Sequence, residues 1–307
     1  MKKMMVLLFI AVIALPLLLG CAAKAGGKGP FFTGDYGFFE YKYNIEGYNG
    51  QDFGGVPQKT YLAASFVLMT VLLIALRKMS RDSVRKFLRI IGVFMVLFYI
   101  SKTGWETVYD VRFDGRFNNG LLPLDTCSLI MPAALLAGFG KGKLKKIAEG
   151  WLMTGCIVGG FANMLFLNAF KYYPFFSFGA FYSMTWHFLM VFTGLLLYVT
   201  DYTEPDYSVV LYGFLFQFAA SLIVIPVDFI YDFDFMLYRD LGGVPIFEDV
   251  ASGLTARGLR FLNPLLMTEL YFAAFNLIFL IVLGIRASAG KLRHCRPKRA
   301  PEPAGAA

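Results

Sequence analysis

Charge is what this chain has least of. Only 16% of its 307 residues are Asp, Glu, Lys or Arg, while 57% are hydrophobic. A soluble domain carries roughly 25% charged residues, so the balance belongs to a polytopic membrane protein. Histidine is scarcer still: His187 and His294 are the only two. The four cysteines, Cys21, Cys127, Cys156 and Cys295, are scattered. No CxxC and no Cys/His ligand spacing occurs, so neither a zinc site nor a disulfide framework is indicated, and no metal or cofactor is expected. An internal repeat is also missing, which argues against an inverted-repeat transporter. The net charge of +8 raises the question of nucleic acid. Lys and Arg nevertheless cluster in short loops between apolar runs, as the positive-inside rule expects, so the expected partners are membrane lipids and not nucleic acid.

What is present is a succession of apolar runs. Seven lie at approximately 60–76, 87–104, 121–139, 147–170, 181–200, 208–230 and 264–285. Each approaches the ~20 residues that cross a bilayer. They predict an all-α membrane protein, a bundle of seven transmembrane helices over residues 60–286. Pro123, Pro132 and Pro226 predict kinks. Gly155-x-x-x-Gly159 predicts close packing on another helix.

The flanks differ. Residues 1–21 start with Lys2 and Lys3, continue as an apolar stretch and close on Leu18-Leu19-Gly20-Cys21. This is the layout of a bacterial secretory signal, similar to a lipoprotein signal, with an uncleaved anchor helix as the alternative. It points to the bacterial cytoplasmic (inner) membrane. Residues 22–59 are rich in Gly, Tyr and Phe, without helical period. They fit either an aromatic patch at the lipid interface or a small β-like cap over the bundle. Residues 287–307 form a basic tail, in which His294 and Cys295 belong to a juxtamembrane anchor.

Loop charge predicts the orientation. Arg77, Lys78, Arg81, Arg85 and Lys86 follow the first run, Lys141, Lys143, Lys145 and Lys146 the third, and Arg286 onward the seventh. These segments fall on one side, hence cytoplasmic, with the N-terminus outside and the C-terminus inside. The loop at 201–207 belongs to that side yet is acidic (Asp201, Glu204, Asp206).

This topology serves as a ruler. If the third run is helical from about Leu121, Cys127 lies some six residues below the outer surface, ~9 Å at 1.5 Å per residue. His187 lies about six residues into the fifth run, at similar depth. Glu106, Asp125, Asn163, Asn168, Asp228 and Glu269 fall towards the same face. Polar groups in lipid are costly unless they face inward and meet, so one buried polar cluster is expected there. Within it a cysteine and a histidine form a nucleophile–base pair: the imidazole takes the thiol proton and returns it to a leaving group. Taken singly, a membrane cysteine is usually a small apolar residue and a membrane histidine a helix–helix hydrogen-bonding group. Asp125 sits two residues from Cys127, so on a helix it should face elsewhere. Asp228 or Glu106 is then the better orienting carboxylate. Cys156, beside the packing glycines, is expected to be inert.

These residues carry a resemblance. Trp105-Glu106 at the end of the second run, Leu122-Pro123-Leu124 with Cys127 opening the third, His187 early in the fifth, and Asp228 followed by the aromatic stretch Tyr231–Tyr238 resemble the YwaF-type bacterial seven-helix membrane proteins. These are related to the eukaryotic transmembrane-protein-164 acyltransferases. The resemblance covers roughly residues 60–286. It implies that Cys127 and His187 carry phospholipid acyl transfer. The family commonly has histidine two residues before the cysteine, where this chain has Asp125.

Two functions follow as expectations. One is a lipid acyltransferase or thioesterase using Cys127 and His187. The other is a non-enzymatic binding or proton-coupled transport protein, in which Glu106, Asp125, Asp228 and Glu269 form an acidic site.

Overall fold

A computed structural model describes residues 2–26, 30–113, 122–166, 168–241 and 245–294. Cys295 and the side chains of Asn168 and His294 lie outside the described residues. All regular structure among the described residues is helical. It comprises α1 (Lys2–Ala25), α2 (Val56–Leu76), α3 (Arg81–Phe113), α4 (Ile130–Phe139), α5 (Gly142–Met153), α6 (Gly155–Phe166), α7 (Asn168–Tyr172), α8 (Phe178–Val199), α9 (Ser208–Tyr231), α10 (Pro245–Ala256) and α11 (Asn263–His294), with short 3-10 turns between some of them.

Five stretches are long and apolar enough to cross a membrane: Val56–Leu76, Gly142–Tyr172, Phe178–Val199, Ser208–Tyr231 and Arg260–Ser288. The second and third apolar runs are not among them, for two different reasons. The second lies in α3, which is long but carries charge at both ends, from Arg81 and Asp82 to Lys102 and Glu106. The third is helical only over Thr126–Phe139, which is shorter than a full crossing.

α8 is the central element. Every residue from Met184 to Gly194 is buried. Its start is fixed by Ser177, whose hydroxyl accepts the Ala180 N–H at 3.2 Å and satisfies one of the orphan donors of the first turn. α5 packs along α9, α3 along α4, and α6 along α8. Glycine permits the closest of these approaches. A Cβ on Gly150 would stand 2.7 Å from the Gly213 backbone nitrogen, and one on Gly160 would stand 3.1 Å from the His187 carbonyl oxygen. Of the expected Gly155/Gly159 pair, Gly155 lies close to another helix, where a Cβ would stand 2.9 Å from the Phe275 ring on α11, while Gly159 meets only ordinary contacts. Outward faces remain apolar and exposed, including Val67, Ile74, Leu97, Leu222, Ile230 and Leu280. A water-soluble surface rarely presents so much apolar area.

Of the three prolines, Pro226 alone stands inside a long helix. Pro132 occupies the first turn of α4 and Pro123 precedes the 3-10 turn, so neither removes a bond from a helix interior.

α1 is helical over 24 residues and packs on α2 and α8. Lys24 donates to the Tyr36 carbonyl at 2.8 Å. The segment from Pro30 to Gly55 contains one 3-10 turn, Lys42–Asn44, and no strand. It caps the bundle through backbone and aromatic contacts: Phe178 N–H donates to Phe38 O (2.7 Å), Trp105 Nε1 to Phe39 O (2.9 Å) and Gln51 N–H to Phe170 O (3.0 Å). The Phe31/Phe175 and Tyr41/Trp105 rings meet edge-on. Burial pushes the Tyr36 phenol, stacked on Phe32, up to about 12, so it stays neutral at any physiological pH.

Candidate functional site

The stretch Leu122–Pro132 is not one helix. Asp125 is extended (φ −69°, ψ 150°), and a 3-10 turn, Thr126–Leu129, leads into α4. The turn closes with the Ser128 N–H on the Asp125 carbonyl at 2.9 Å. Helix geometry therefore does not separate Asp125 from Cys127 as their spacing suggests. Both line one cavity of about 470 Å³. This corrects the opposed-face expectation, and the physical reason is the extended backbone at Asp125.

Opposite the turn stands α8. Trp186 is buried, and its Nε1 donates to the Cys127 carbonyl at 3.2 Å. This bond ties the cysteine's backbone to the residue next to His187. His187 is 5% exposed and lines the same cavity. Its Nδ1 lies 2.7 Å from the Ser183 carbonyl oxygen. A carbonyl can only accept, so Nδ1 carries the proton and Nε2 holds the free lone pair. Nε2 is buried and makes no hydrogen bond within the described protein. Nε2 is thus an unpaired basic nitrogen in a cavity that Cys127 also lines, and no hydrogen bond joins it to the Cys127 thiol. Asn163, on α6, lines this cavity too.

Four of the residues singled out in the sequence, Asp125, Cys127, Asn163 and His187, thus share one cavity. Three others do not line it. Glu106 pairs with Lys102 one turn earlier on α3. Glu269 is exposed on α11. Asp228 is fully buried, but its Oδ1 accepts the Phe235 N–H at 2.8 Å, so it shapes the chain after α9. Cys156 donates to the Met190 carbonyl at 3.2 Å, a packing role. Among the described residues no group of His, Cys, Asp and Glu could hold a metal ion.

The cavity's remaining wall was not apparent from the sequence. The segment Asp232–Leu241 places Met236, Leu237 and Leu241 against it. Four non-glycine residues in this segment have left-handed backbone: Asp232 (φ 59°), Met236 (53°), Leu237 (61°) and Leu241 (52°). Each such residue costs about 1–2 kcal/mol, so the surroundings must hold it. They do so with bonds from three sides. Besides Asp228, Asp234 Oδ1 accepts the Arg239 and Asp240 N–H groups (2.8 and 3.0 Å), and Asn263 donates to the Arg239 carbonyl at 2.6 Å. Arg239 pairs with Asp232 and Asp240, and Arg260 with Asp240. Burial alone would raise the Asp240 carboxyl, but Arg260 and Arg239 hold it below its ordinary value. Tyr271 bridges this wall and the cysteine turn: its hydroxyl bonds Thr126 and donates to the Met236 carbonyl at 3.3 Å. One signal existed for this bridge, since a tyrosine hydroxyl inside an apolar run must find a partner.

Fold and site together define a helical multi-pass membrane protein with a partly polar cavity among its helices. The TMEM164 family matches residues 53–286, well over half of the chain, and the protein belongs to that family. Among curated proteins and among solved structures, none matches the chain significantly.

Proposed function

We propose that this protein is a membrane-embedded lipid acyltransferase or thioesterase in which Cys127 is the nucleophile and His187 the base. The observation that carries this reading is the shared cavity, with the His187 tautomer fixed by Ser183 and Nε2 left unpaired within it. Nε2 takes the proton from Cys127 Sγ. The thiolate attacks the carbonyl carbon of a lipid ester, and the leaving alkoxide receives the proton from Nε2. The product is a thioester on Cys127. An acceptor hydroxyl then gives its proton to Nε2 and attacks the thioester, and the departing Cys127 thiolate takes that proton back. For a thioesterase the donor is itself a thioester, a thiolate leaves in place of the alkoxide, and water is the acceptor. Hydrogen bonds to the developing oxyanion stabilise both steps, at roughly 3 kcal/mol per donor.

The same proposal includes seven passes, with α3 and the Thr126–Phe139 segment added to the five longer stretches. It places the N-terminus outside and the C-terminus in the cytoplasm of a bacterial inner membrane. Contacts at the basic end support this orientation. Arg286 bonds the Tyr198 carbonyl (2.6 Å) and pairs with Asp201 (2.7 Å), so the acidic 201–207 loop answers a basic tail. Lys145 lies over the Tyr202 ring at the same place.

An acidic transport site finds less support, because Asp125 is the only one of its four acids that lines the cavity. The test is lipid turnover by the purified protein in bilayers with Cys127→Ala and His187→Ala. Loss in both variants is expected. Full activity in both overturns the mechanism.

A further inference from the structure

We infer that the strained segment Asp232–Leu241 selects the acyl chains that reach Cys127, with Met236 and Leu237 forming the wall that limits their length. The inference deepens the acyl-transfer reading and rests on it for the nature of the occupant.

The cavity is lined by a few polar groups and a larger apolar surface. Asp125, Cys127, Asn163 and His187 are among the former, while Met236, Leu237, Phe247, Met267 and Leu270 belong to the latter. No lysine or arginine is among its described lining residues. A phosphate head group would find no counter-charge inside, so the occupant is the hydrocarbon part of an ester whose carbonyl lies at Cys127.

The wall is held in a way that filling space does not require. Met236 is buried at 3% exposure with a left-handed backbone. Its carbonyl is held by Tyr271, and its sulfur accepts a hydrogen bond from Gln217 Nε2 at 3.3 Å. Gln217 in turn accepts from Trp151 Nε1 at 2.9 Å, which anchors the methionine to α5. The neighbouring Leu237 shares the left-handed conformation. Two bulky residues in a conformation that glycine adopts freely thereby line the cavity. Backbone strain retained where a substrate binds is a mark of a functional constraint.

The wall can be measured without catalysis. The full-length protein in lipid nanodiscs is treated with N-alkylmaleimides from ethyl to hexadecyl, and alkylation of the Cys127 peptide is followed by mass spectrometry. Met236→Gly removes the side chain and relieves the backbone, so it is expected to fold. Leu237→Gly is its partner. At each chain length the variant rate is divided by the wild-type rate, which cancels differences in reagent partitioning. The expected result is a ratio near unity for ethyl and a rise of roughly tenfold or more for the longest chains, the scale on which a pocket discriminates by a methylene or two. A ratio that is flat across chain length in both variants overturns the wall. That failure is separate from failure of the acyl-transfer reading, which falls if Cys127 carries no acyl group in membranes, whatever the maleimide profile.

Discussion

The two ends of α4 are treated oppositely. At its C-terminal end the last carbonyls are clasped by cations: Arg85 donates from Nε to Gly138 O and from its guanidinium to Gly140 O, both at 3.0 Å, and Arg89 Nε donates to Gly138 O at 2.9 Å. These bonds satisfy orphan acceptors and place positive charge at the negative end of the helix dipole. α3 and α4 approach so closely here that a Cβ on Gly138 would stand 2.8 Å from the Arg89 backbone nitrogen. At the N-terminal end the helix tightens to a 3-10 turn, the chain before it is extended, and Asp125 and Cys127 face a cavity. The nearest tryptophan holds the turn's backbone and leaves the thiol facing the cavity. One end has its last carbonyls satisfied by cations. The other lines the cavity that also holds the unpaired His187 Nε2 of α8.

This contrast can be broken by mutation. The largest effect is expected at the cavity end. Cys127→Ala should reduce lipid turnover to background, and His187→Ala should lower it by roughly 10²–10⁴-fold, the usual worth of a general base. Cys127→Ala should keep the unfolding midpoint close to wild type. His187→Ala loses a buried ring and its bond to Ser183 and should lower it, so turnover is compared per folded molecule, with folding followed by fluorescence in detergent. Next comes the clasped end. Gly138→Val should cost about 1–3 kcal/mol of stability, because backbone atoms of α3 cannot yield to the added carbons. Activity per folded molecule should not change. If Gly138→Val abolishes turnover in folded protein, the two ends are coupled and the contrast fails.

A smaller effect is expected at the link between the site's two halves. Trp186→Phe keeps the ring and loses the bond to the Cys127 carbonyl, about 1 kcal/mol for a neutral hydrogen bond. Turnover should fall by less than roughly tenfold, with a matching small change in the rate at which maleimide labels Cys127. The smallest effect concerns acid. Asp240 titrates below its unfolded value because of its two arginine partners, despite its burial. A depressed carboxyl contributes stability above its unfolded pKa, near ~3.9, that is lost as pH falls through the lower folded one. The Arg239 and Arg260 contacts should therefore be indifferent to pH between 5 and 8. Maleimide access to Cys127 should rise only at acid below the ordinary carboxylate range.

How much of this was legible in the sequence depends on the range of the interaction. The helices themselves were legible, because apolar runs of about 20 residues have few alternatives to membrane helix. The fifth run, 181–200, corresponds closely to α8, whose residues are almost all buried and whose start is marked by Ser177. The third run was misread where it matters most. Its apolar composition continues back to Leu121, but Pro123 and the extended Asp125 keep the first part out of the helix. A helical face argument then assigned Asp125 and Cys127 to different directions, and the backbone overrules it. Asp228 was read as an orienting acid for the histidine. Its actual partner, the Phe235 N–H, lies in a turn that no periodicity describes. The acidic 201–207 loop looked like an exception to charge rules until Arg286, some eighty residues on, supplied its partner. The Gly- and aromatic-rich segment before α2 left two structures open, and the structure shows a strand-free cap tied by single backbone bonds. The loop and the cap are decided by contacts distant in sequence, and the third run and Asp228 by local turns that no period describes.

The central claim is that Cys127 accepts an acyl group with His187 as its base. It is tested most directly by mass spectrometry of the Cys127 peptide from protein isolated in native membranes, before and after neutral hydroxylamine. The account predicts a hydroxylamine-labile fatty acyl mass on Cys127 in the wild type, and its near-absence in His187→Ala. An unmodified thiol in the wild type while lipid turnover proceeds, or equal acylation with and without His187, would contradict it.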